Sequence, residues 1–344
     1  MRAVVYREPG RVEVATVPEP TVLEPEDVVV GVTCAAVCGT DLHLVADGHG
    51  LPPGTVLGHE YTGTVLATGT SVRTVAVGDR VAGADFTACG RCWWCRRGDH
   101  WECAHRQFLG TGGAFGPALP GAQAERVRVP HADNTLRPLP YGVSDEAAVL
   151  LGDVLPTGYA AIQRADLRPG DTVAVVGGGP VGQLASLAAQ ACGAGPVVVV
   201  EPVADRRALA ADNGALAVGP DEASELLASL THGRGADAVV DALGAPRGLD
   251  AAMALVRRRG TVCSVGVPSV EHWSMPVRDA FVNEVTVRFA IGDLMRDGDA
   301  LTALLETGVL DPTVVLTETV DMARAPDGYQ AMAERRTLKV LVTM

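Results

Sequence analysis

The stretch from Thr172 to Val200 constrains the fold more than any other part of the sequence. It carries no charged residue over 29 positions, which is long enough to cross a bilayer as a helix. Six glycines and two prolines interrupt it, clustered at Gly177–Pro180 and Gly193–Pro196. Because such residues break a continuous helix, the stretch instead predicts a buried strand, a tight turn, a helix and a second strand. We therefore expect no membrane insertion.

The alternation of strands and helices continues through the second half of the chain. The predicted strands are Thr172–Val176, Val197–Val200, Asp237–Asp241 and Thr261–Val265. The predicted helices are Val181–Cys192, Val203–Asn213, Glu222–Leu230 and Arg247–Arg257. This order predicts an α/β fold with a doubly wound parallel sheet. A helix at Asp299–Thr307 and strands near Val314 and Val340 are expected after it.

The first 140 residues show a different pattern, which is β-rich. Short runs separated by Gly and Pro turns lie at Ala3–Tyr6, Asp27–Thr33, Tyr61–Thr68 and Arg126–Val129. They predict a compact, partly open β-barrel rather than a parallel sheet. Since 344 residues are too many for one ordinary core, we expect two domains.

Net charge argues against one large class of partner. The chain has 41 acidic and 28 basic residues, a formal net charge of −13. Nucleic-acid binding needs a basic patch that displaces counterions, so we expect no nucleic-acid partner. The segment Met1–Gly10 is charged and lacks the apolar core of a signal peptide, which favours a cytoplasmic location and reduced cysteines.

The strongest local motif is a group of four cysteines within fifteen residues. It consists of Cys89, Cys92, Cys95 and Cys103. Four thiolates at this spacing enclose a tetrahedral zinc ion and leave no open position, which predicts a structural site. Unligated thiols, a redox pair and an iron–sulfur cluster are the alternatives. Flanking Arg91, Arg96 and Arg97 would offset the negative charge of the thiolates.

A second candidate metal site is dispersed along the chain. The segments Cys38–His43 and Gly58–Glu60 supply a thiolate, an imidazole and carboxylates. Each segment alone is a weak signal, but together they fit a catalytic zinc site with three protein ligands and one open position. Asp153 is a further carboxylate candidate, with helix N-capping as its alternative role. Cys34 is a rival to Cys38.

A glycine-rich turn predicts a dinucleotide site. The sequence Gly177-Gly178-Gly179-Pro180-Val181-Gly182 follows a predicted strand and opens a predicted helix. Glu201 ends the next strand, where it would accept hydrogen bonds from the adenosine ribose, although an ordinary strand-end carboxylate is the alternative. The cofactor would contact Gly177, Gly179, Pro180, Val181 and Gly182, with its phosphates at the helix N-terminus.

With these motifs in this order, the chain resembles the zinc-containing medium-chain alcohol dehydrogenases from end to end. The chain resembles the bacterial formaldehyde-dehydrogenase-like branch of this family in having an Asp at position 153. The resemblance implies a GroES-like catalytic domain at 1–152 with a structural-zinc lobe near 89–103. It also implies a Rossmann domain at 153–290 and a segment at 291–344 that returns to the catalytic domain.

The same resemblance implies roles for single residues. Cys38 and His59 would be ligands of the catalytic zinc, with Asp153 as the third ligand and Glu60 beside the metal. Thr40 and His43 match the family's proton relay, and Asp41 matches the residue that braces a ligand histidine. Two residues, Thr157 and Val267, fall where the family contacts the nicotinamide.

The function so implied is reversible oxidation of a primary or secondary alcohol to an aldehyde or ketone. The cofactors would be two zinc ions per chain and NAD, because Glu201 should repel the 2′-phosphate of NADP. Arg206 and Arg207 weaken that preference, since either could receive a phosphate. The partners would be a small alcohol or carbonyl compound and further copies of the chain, as a dimer or tetramer. A zinc-free enoyl or quinone reductase and a non-catalytic dinucleotide-binding protein are the alternatives.

Overall fold

The computed structural model describes residues 1–48 and 50–344. His49, for which the sequence predicts no chemistry, lies outside the described residues. The chain divides into two compact units. The first combines Met1–Asp153 with Asp293–Met344, and the second is Val154–Gly292. The first is called the barrel unit below, and the second the sheet unit.

The barrel unit is built mainly of strands. Its first part contains β1 (Arg2–Glu8), β2 (Arg11–Thr16), β3 (Val28–Ala36), α1 (Gly39–Asp47), β4 (Glu60–Thr68), β5 (Arg80–Gly83), β6 (Phe108–Leu109), β7 (Ala118–Leu119), β8 (Arg126–Val129), β9 (Leu136–Pro138) and α2 (Asp145–Ala148).

The sheet unit alternates helices and strands. It contains α3 (Val154–Arg164), β10 (Val173–Val176), α4 (Pro180–Ala191), β11 (Val197–Val200), α5 (Ala204–Asp212), β12 (Leu216–Val218), α6 (Ala223–Thr231), β13 (Ala236–Asp241), α7 (Pro246–Leu255), β14 (Val256–Ser264), α8 (Val277–Val282) and β15 (Thr286–Phe289). The chain then completes the barrel unit with α9 (Leu294–Glu306), β16 (Glu318–Asp321), α10 (Ala325–Ala333) and β17 (Val340–Thr343).

The main sheet of the barrel unit is assembled from distant parts of the sequence. Its order is β16-β17-β3-β4-β5-β9, and β8 also pairs with β3. β3 and β4 are antiparallel, with Ala36 opposite Glu60. β17 pairs with the carboxyl end of β3, where Leu341 lies opposite Ala36. This pairing brings the last strand of the chain to the end of β3, where α1 begins.

The sheet unit contains one parallel sheet in the order β12-β11-β10-β13-β14-β15. This is the order of a dinucleotide-binding doubly wound sheet, with the crossing point between β10 and β13. β10 and β11 are valine-rich and fully buried, as expected when helices cover both faces of a parallel sheet. The predicted fold class is therefore confirmed. Within residues 1–48 and 50–344, no helix is both long and apolar enough to span a membrane.

Two expected elements differ in position. Val314 lies in a 3₁₀ turn, Pro312–Val315, because Asp311 caps that turn through the Thr313 amide; the strand begins only at Glu318. Arg257 belongs to β14 rather than to the preceding helix. Its guanidinium lies 2.5 Å from Asp237 on the neighbouring strand, an ion pair that ties this residue to the sheet.

Candidate active site

Cys38 is positioned by the junction of β3 and α1. It occupies the N-cap of α1 in an extended conformation, and Asp41 accepts a hydrogen bond from its backbone amide at 3.0 Å. The thiol is buried and donates to Asp153 Oδ2 at 3.1 Å. Burial raises the pKa of Cys38 to about 12, and the charge of Asp153 raises it further. Without a cation, this cysteine is therefore a neutral thiol.

His59 lies between two carboxylates just before β4. Its Nδ1 is 3.4 Å from Asp41 Oδ1, and its Nε2 is 3.4 Å from Asp153 Oδ2. The side chain is fully buried, yet neither ring nitrogen makes a hydrogen bond within the described residues. Burial opposes ionisation of Asp153, but the nearby His59 imidazole outweighs burial and lowers the pKa of Asp153 to about 2.

These side chains form a group that fits a metal ion. The ligand atoms of Cys38, His59, Glu60 and Asp153 all lie within 4.8 Å of one another. Each side chain offers one ligand atom: the sulfur of Cys38, a ring nitrogen of His59 and a carboxylate oxygen from each of the two acidic residues. A thiolate, an imidazole and a carboxylate are ordinary zinc ligands. The residues therefore fit a catalytic zinc ion, and Cys34 does not belong to the group.

Glu60 has a partner that the sequence reading missed. Lys339 Nζ lies 2.7 Å from Glu60 Oε1 and also donates to the Val37 carbonyl at 3.2 Å. Burial raises the pKa of Glu60 to about 7, against the opposing charge of Lys339. A signal was present: Lys339 is the only lysine in the chain.

Gln123, a second residue that the sequence reading missed, is hydrogen-bonded to Asp41. Gln123 donates from Nε2 to Asp41 Oδ2 at 3.3 Å and to the Ala36 carbonyl at 3.1 Å. Its own carbonyl oxygen accepts from the Tyr329 hydroxyl at 2.7 Å. All three side chains are buried, so Asp41 is held in place opposite His59.

The two predicted relay residues lie on α1, three positions apart. Thr40 is half-buried and His43 is exposed. Side chains three positions apart lie on one face of a helix. The pair therefore runs from a partly covered position towards solvent. Its role in proton transfer stays a prediction.

Asp85 is a buried carboxylate beside this group, and it follows the end of β5. Its amide donates to the Gly152 carbonyl at 3.2 Å, next to Asp153. Burial raises the pKa of Asp85 well above its ordinary range, and the negative charge of Asp153 raises it further. The charge of His59 and a backbone hydrogen bond oppose this rise in the pKa of Asp85.

The four cysteines of the lobe also come together. Their sulfur atoms lie within 4.8 Å of one another, and all are free thiols. Backbone amides point at the sulfurs: Cys89 N lies 3.3 Å from Cys103 Sγ, and Cys95 N lies 3.5 Å from Cys92 Sγ. A hydrogen bond from the Cys95 backbone lowers the pKa of Cys92 to about 6. This arrangement fits a closed four-thiolate zinc site.

The neighbouring arginines have other partners. Arg91 pairs with Glu26 at 2.8 Å. Arg96 donates to the Arg91 carbonyl at 2.5 Å, and Arg97 stacks over the Trp93 ring at 4.6 Å. The guanidinium groups therefore bind other groups of the protein, and within residues 1–48 and 50–344 they make no hydrogen bond to sulfur.

The glycine-rich turn of the sheet unit has the expected backbone requirements. Gly177 has φ +102°, which favours glycine, and a Cβ at Gly182 would lie 1.8 Å from the Gly177 carbonyl oxygen. Gly179 is the N-cap of α4, and Pro180 and Val181 begin the helix. The amides at this helix start are therefore available to phosphate oxygens.

Glu201 is buried against the same turn. Its Oε2 accepts from the Gly178 amide at 2.7 Å, and its Oε1 accepts from the Val203 amide at 2.9 Å. Arg207 is turned back onto the Glu201 and Pro202 carbonyls. Arg206 is half-buried one residue earlier. Glu201 thus fixes the turn, which is a role that the sequence reading did not assign to it.

Two further predicted cofactor residues lie in the sheet unit. Thr157 is in the first turn of α3. The backbone of Gly292 packs closely against it, because a Cβ atom added at Gly292 would lie 2.6 Å from the Thr157 amide nitrogen. Val267 follows the carboxyl end of β14 and is exposed. Ligands of doubly wound sheets bind at the carboxyl ends of the strands. A nicotinamide contact for both residues remains a prediction.

A buried group of Cys, His and Asp side chains in a barrel unit, together with a parallel sheet that carries a glycine-rich turn, is typical of dehydrogenases that use a metal ion and a nucleotide. Residues 24–141 match the family model for the alcohol dehydrogenase GroES-like domain. Residues 180–306 match the model for zinc-binding dehydrogenases. The chain belongs to the zinc-containing medium-chain alcohol dehydrogenase family.

Individual relatives agree with this assignment. A protein of Mycobacterium tuberculosis named as a probable zinc-binding alcohol dehydrogenase is 38% identical over 97% of this chain and 86% of its own length. The solved alcohol dehydrogenase TADH from Thermus sp. ATN1 is 37% identical, with a TM-score of 0.96 over 100% of this chain and 99% of that one. A zinc-binding dehydrogenase of Sinorhizobium meliloti 1021, solved with NADP, is 27% identical, with a TM-score of 0.85 and coverage of 100% and 99%. The formaldehyde-dehydrogenase-like branch stays a prediction.

Proposed function

We propose that this chain is a zinc-dependent alcohol dehydrogenase that reversibly oxidises a primary or secondary alcohol with NAD. Family membership supports an oxidoreductase acting on alcohols. The single observation that carries the proposal is the buried convergence of Cys38, His59 and Asp153 around His59 Nε2, which lacks a hydrogen bond within the described residues. A zinc-free reductase would have no use for this set.

The proposed work of the residues follows from their contacts. Cys38, His59 and Asp153 would hold zinc, whose charge acidifies an alcohol hydroxyl. Asp41 faces His59 Nδ1 and so directs Nε2 towards the site. Thr40 Oγ1 would receive the alcohol proton, and exposed His43 would release it to water. A nicotinamide cofactor, when bound, would supply the acceptor for the hydride.

Several cofactor details belong to the same proposal. We assign one zinc ion to the Cys38 group and one to the four cysteines, which makes two per chain. NAD is preferred because the Glu201 carboxylate lies at the turn where a 2′-phosphate would approach, although a relative binds NADP. The proposed domain boundary lies between positions 152 and 153, immediately before the proposed ligand Asp153.

A homo-oligomer is also part of the proposal. β15 is an edge strand of the parallel sheet. Its last residue, Phe289, is strongly exposed, as are Phe281 and Val282 of the preceding α8. Exposed edge strands with apolar neighbours are usually covered by another chain. Sedimentation of the purified protein tests this: a dimer or tetramer is expected, and Phe281→Asp with Phe289→Asp should dissociate it. A wild-type monomer would refute it.

The activity is tested with a panel of primary and secondary alcohols and NAD⁺, followed by NADH absorbance. Wild-type protein should turn over at least one alcohol class, and a zinc chelator should abolish the turnover. Cys38→Ser should remove activity and one zinc equivalent, whereas the matched variant Cys34→Ser, four residues earlier in β3, should keep both. Full activity in Cys38→Ser would overturn the proposed metal site.

A further inference from the structure

Gln183 is a buried polar residue of the sheet unit that the proposed function does not yet use. It is the fourth residue of α4, directly after Gly182, and is only 2% exposed. Its side-chain amide donates from Nε2 to the Gly178 carbonyl at 3.2 Å and to the Arg206 carbonyl at 2.9 Å. An NH₂ group has two hydrogens to donate, so both acceptors can be served at once. Gln183 therefore ties the glycine-rich turn to α5, which contains Arg206.

The Gly178 carbonyl depends on this side chain for its hydrogen bond. In the part of the chain that the structure describes, no backbone amide donates to that carbonyl. The Gly178 amide is held as well, by Glu201 Oε2 at 2.7 Å. Glycine has more conformational freedom than any other residue, so a run such as Gly177–Gly179 needs contacts of this kind to keep one shape. Two buried side chains thus fix both polar groups of Gly178.

The contact with Gln183 also orients the peptide that joins Gly178 to Gly179. This peptide is trans, and a planar trans peptide directs its C=O and N–H groups in opposite directions. Since the Gly178 carbonyl points at Gln183, the Gly179 N–H points away from it, and that amide makes no hydrogen bond within the described residues. Gly179 is the N-cap of α4, where the helix dipole favours an anion. The turn therefore presents a free backbone donor with a fixed direction.

We propose that Gln183 is a positioning residue for the dinucleotide, which holds the Gly179 amide ready for a phosphate oxygen of the cofactor. The inference rests on the proposed dehydrogenase function and assigns no chemical step to Gln183. A donor that is ordered before the ligand arrives costs less free energy to immobilise, so the contact raises the affinity for the diphosphate part of the cofactor. Once the cofactor is bound, hydride transfer should not depend on Gln183.

The test measures the dissociation constant of NADH by its fluorescence, and those of ADP-ribose and adenosine by displacement of NADH. Gln183→Met keeps a similar length but has no donor. It should weaken NADH and ADP-ribose by about three- to tenfold, the order expected for one hydrogen bond, and leave adenosine, which has no phosphate, unchanged. In alcohol oxidation, KM for NAD should rise while kcat stays near the wild-type value, as expected when only binding is lost.

Gln190 provides a matched control on the same helix. It lies two turns after Gln183, and its Nε2 donates to the Ser186 carbonyl at 3.4 Å and to the Asn213 carbonyl at 3.1 Å. Asn213 is the C-cap of α5, so Gln190 also ties α4 to α5, but at the opposite ends of both helices from the glycine-rich turn. Gln190→Met should lower the thermal midpoint as Gln183→Met does, and leave all three dissociation constants unchanged. Gln183→Leu, which also lacks a donor, repeats the comparison should Gln183→Met not fold.

Each outcome supports or overturns the inference. Unchanged dissociation constants for NADH and ADP-ribose in Gln183→Met, with alcohol oxidation intact, overturn the positioning role and leave the proposed function standing. An adenosine constant that weakens as much as that of ADP-ribose also contradicts it, because the loss would then not involve the phosphates. Equal weakening in Gln190→Met would assign the effect to helix packing in general and overturn the inference. Wild-type protein that binds neither NADH nor NADPH counts against both the inference and the proposed function.

Discussion

Lys339 Nζ lies 2.7 Å from Glu60 Oε1, and both side chains are almost completely withdrawn from solvent. The two residues are 279 positions apart in the sequence. Burial of a charge is tolerated only when it is paired, and the Val37 carbonyl gives the ammonium a second acceptor. The Lys339 ammonium therefore balances the negative charge of Glu60 beside the candidate zinc ligands.

Lys339→Met should destabilise the protein by about 3–5 kcal/mol and reduce activity, because Glu60 is left buried without its partner. The double variant Lys339→Met with Glu60→Gln should recover much of that stability. Denaturant unfolding measures both. Arg324→Met, which removes an exposed ion pair with Asp327, serves as the control and should cost about 0.5 kcal/mol or less. Equal losses of unfolding free energy in Lys339→Met and Arg324→Met would refute a special role for the buried pair.

Metal analysis of protein purified without chelators should give two zinc equivalents per chain. Cys89→Ser should remove one equivalent and lower the thermal midpoint, because a closed four-thiolate site stabilises its own lobe. Cys263→Ser, a buried cysteine of β14 outside both groups, is the matched control and should keep both equivalents. A wild-type value of one that Cys89→Ser leaves unchanged would count against the structural site.

Metal-free protein should show an acid transition in the cysteine lobe. The pKa of Cys92 falls from 9.0 to about 6 in the folded chain. Its thiolate therefore adds stability that is fully present above about pH 9 and is lost as the pH falls through about 6. Tryptophan fluorescence of Trp93 and Trp94 reports the change, and Cys92→Ala should abolish it. A profile that is identical in the two proteins would argue against this titration.

Asp153→Asn should lose catalytic zinc and most activity, while the structural zinc and the fold survive. An amide is a weaker metal ligand than a carboxylate but keeps most capping ability, so the variant separates the two roles considered for Asp153. Metal content, turnover and circular dichroism are the measurements. If zinc and turnover both stay near wild-type values, Asp153 is not the third ligand.

Glu201→Ala should weaken the preference for NAD over NADP. The carboxylate holds the Gly178 amide, so the variant should also loosen the turn and raise KM for both cofactors. The ratio of the two catalytic efficiencies isolates the charge effect from the turn effect. Glu201→Gln, which keeps one acceptor oxygen for the Gly178 amide and removes the charge, should shift that ratio while changing KM for NAD less. A wild-type ratio that favours NADP tenfold would refute the proposed preference.

Local patterns carried much of the fold prediction. In Thr172–Val200, valine runs, glycine turns and the absence of charge leave few alternatives to a strand, helix and strand. Arg257 was misplaced because its position depends on Asp237 of another strand, a contact that no local pattern contains. Val314 was assigned to a strand although Pro312 and the Asp311 cap favour a turn.

The candidate site shows the same division. The closely spaced cysteines were visible in the sequence as one group, and the structure brings them together. Lys339 and Gln123 were missed as contributors because their roles depend on pairing and burial between distant segments. A sole lysine carries no spacing from which such neighbours can be inferred.

The pairing of β17 with β3 has a consequence for the order in which the protein is made. A nascent chain leaving the ribosome presents Cys38, His59 and Asp153 long before Lys339 exists. Until the last strand is translated, Glu60 lacks its ammonium partner and the carboxyl end of β3 lacks a neighbour. Such distant pairings form late because the intervening chain must first be organised. Assembly of the candidate site is therefore a step that follows synthesis of β17.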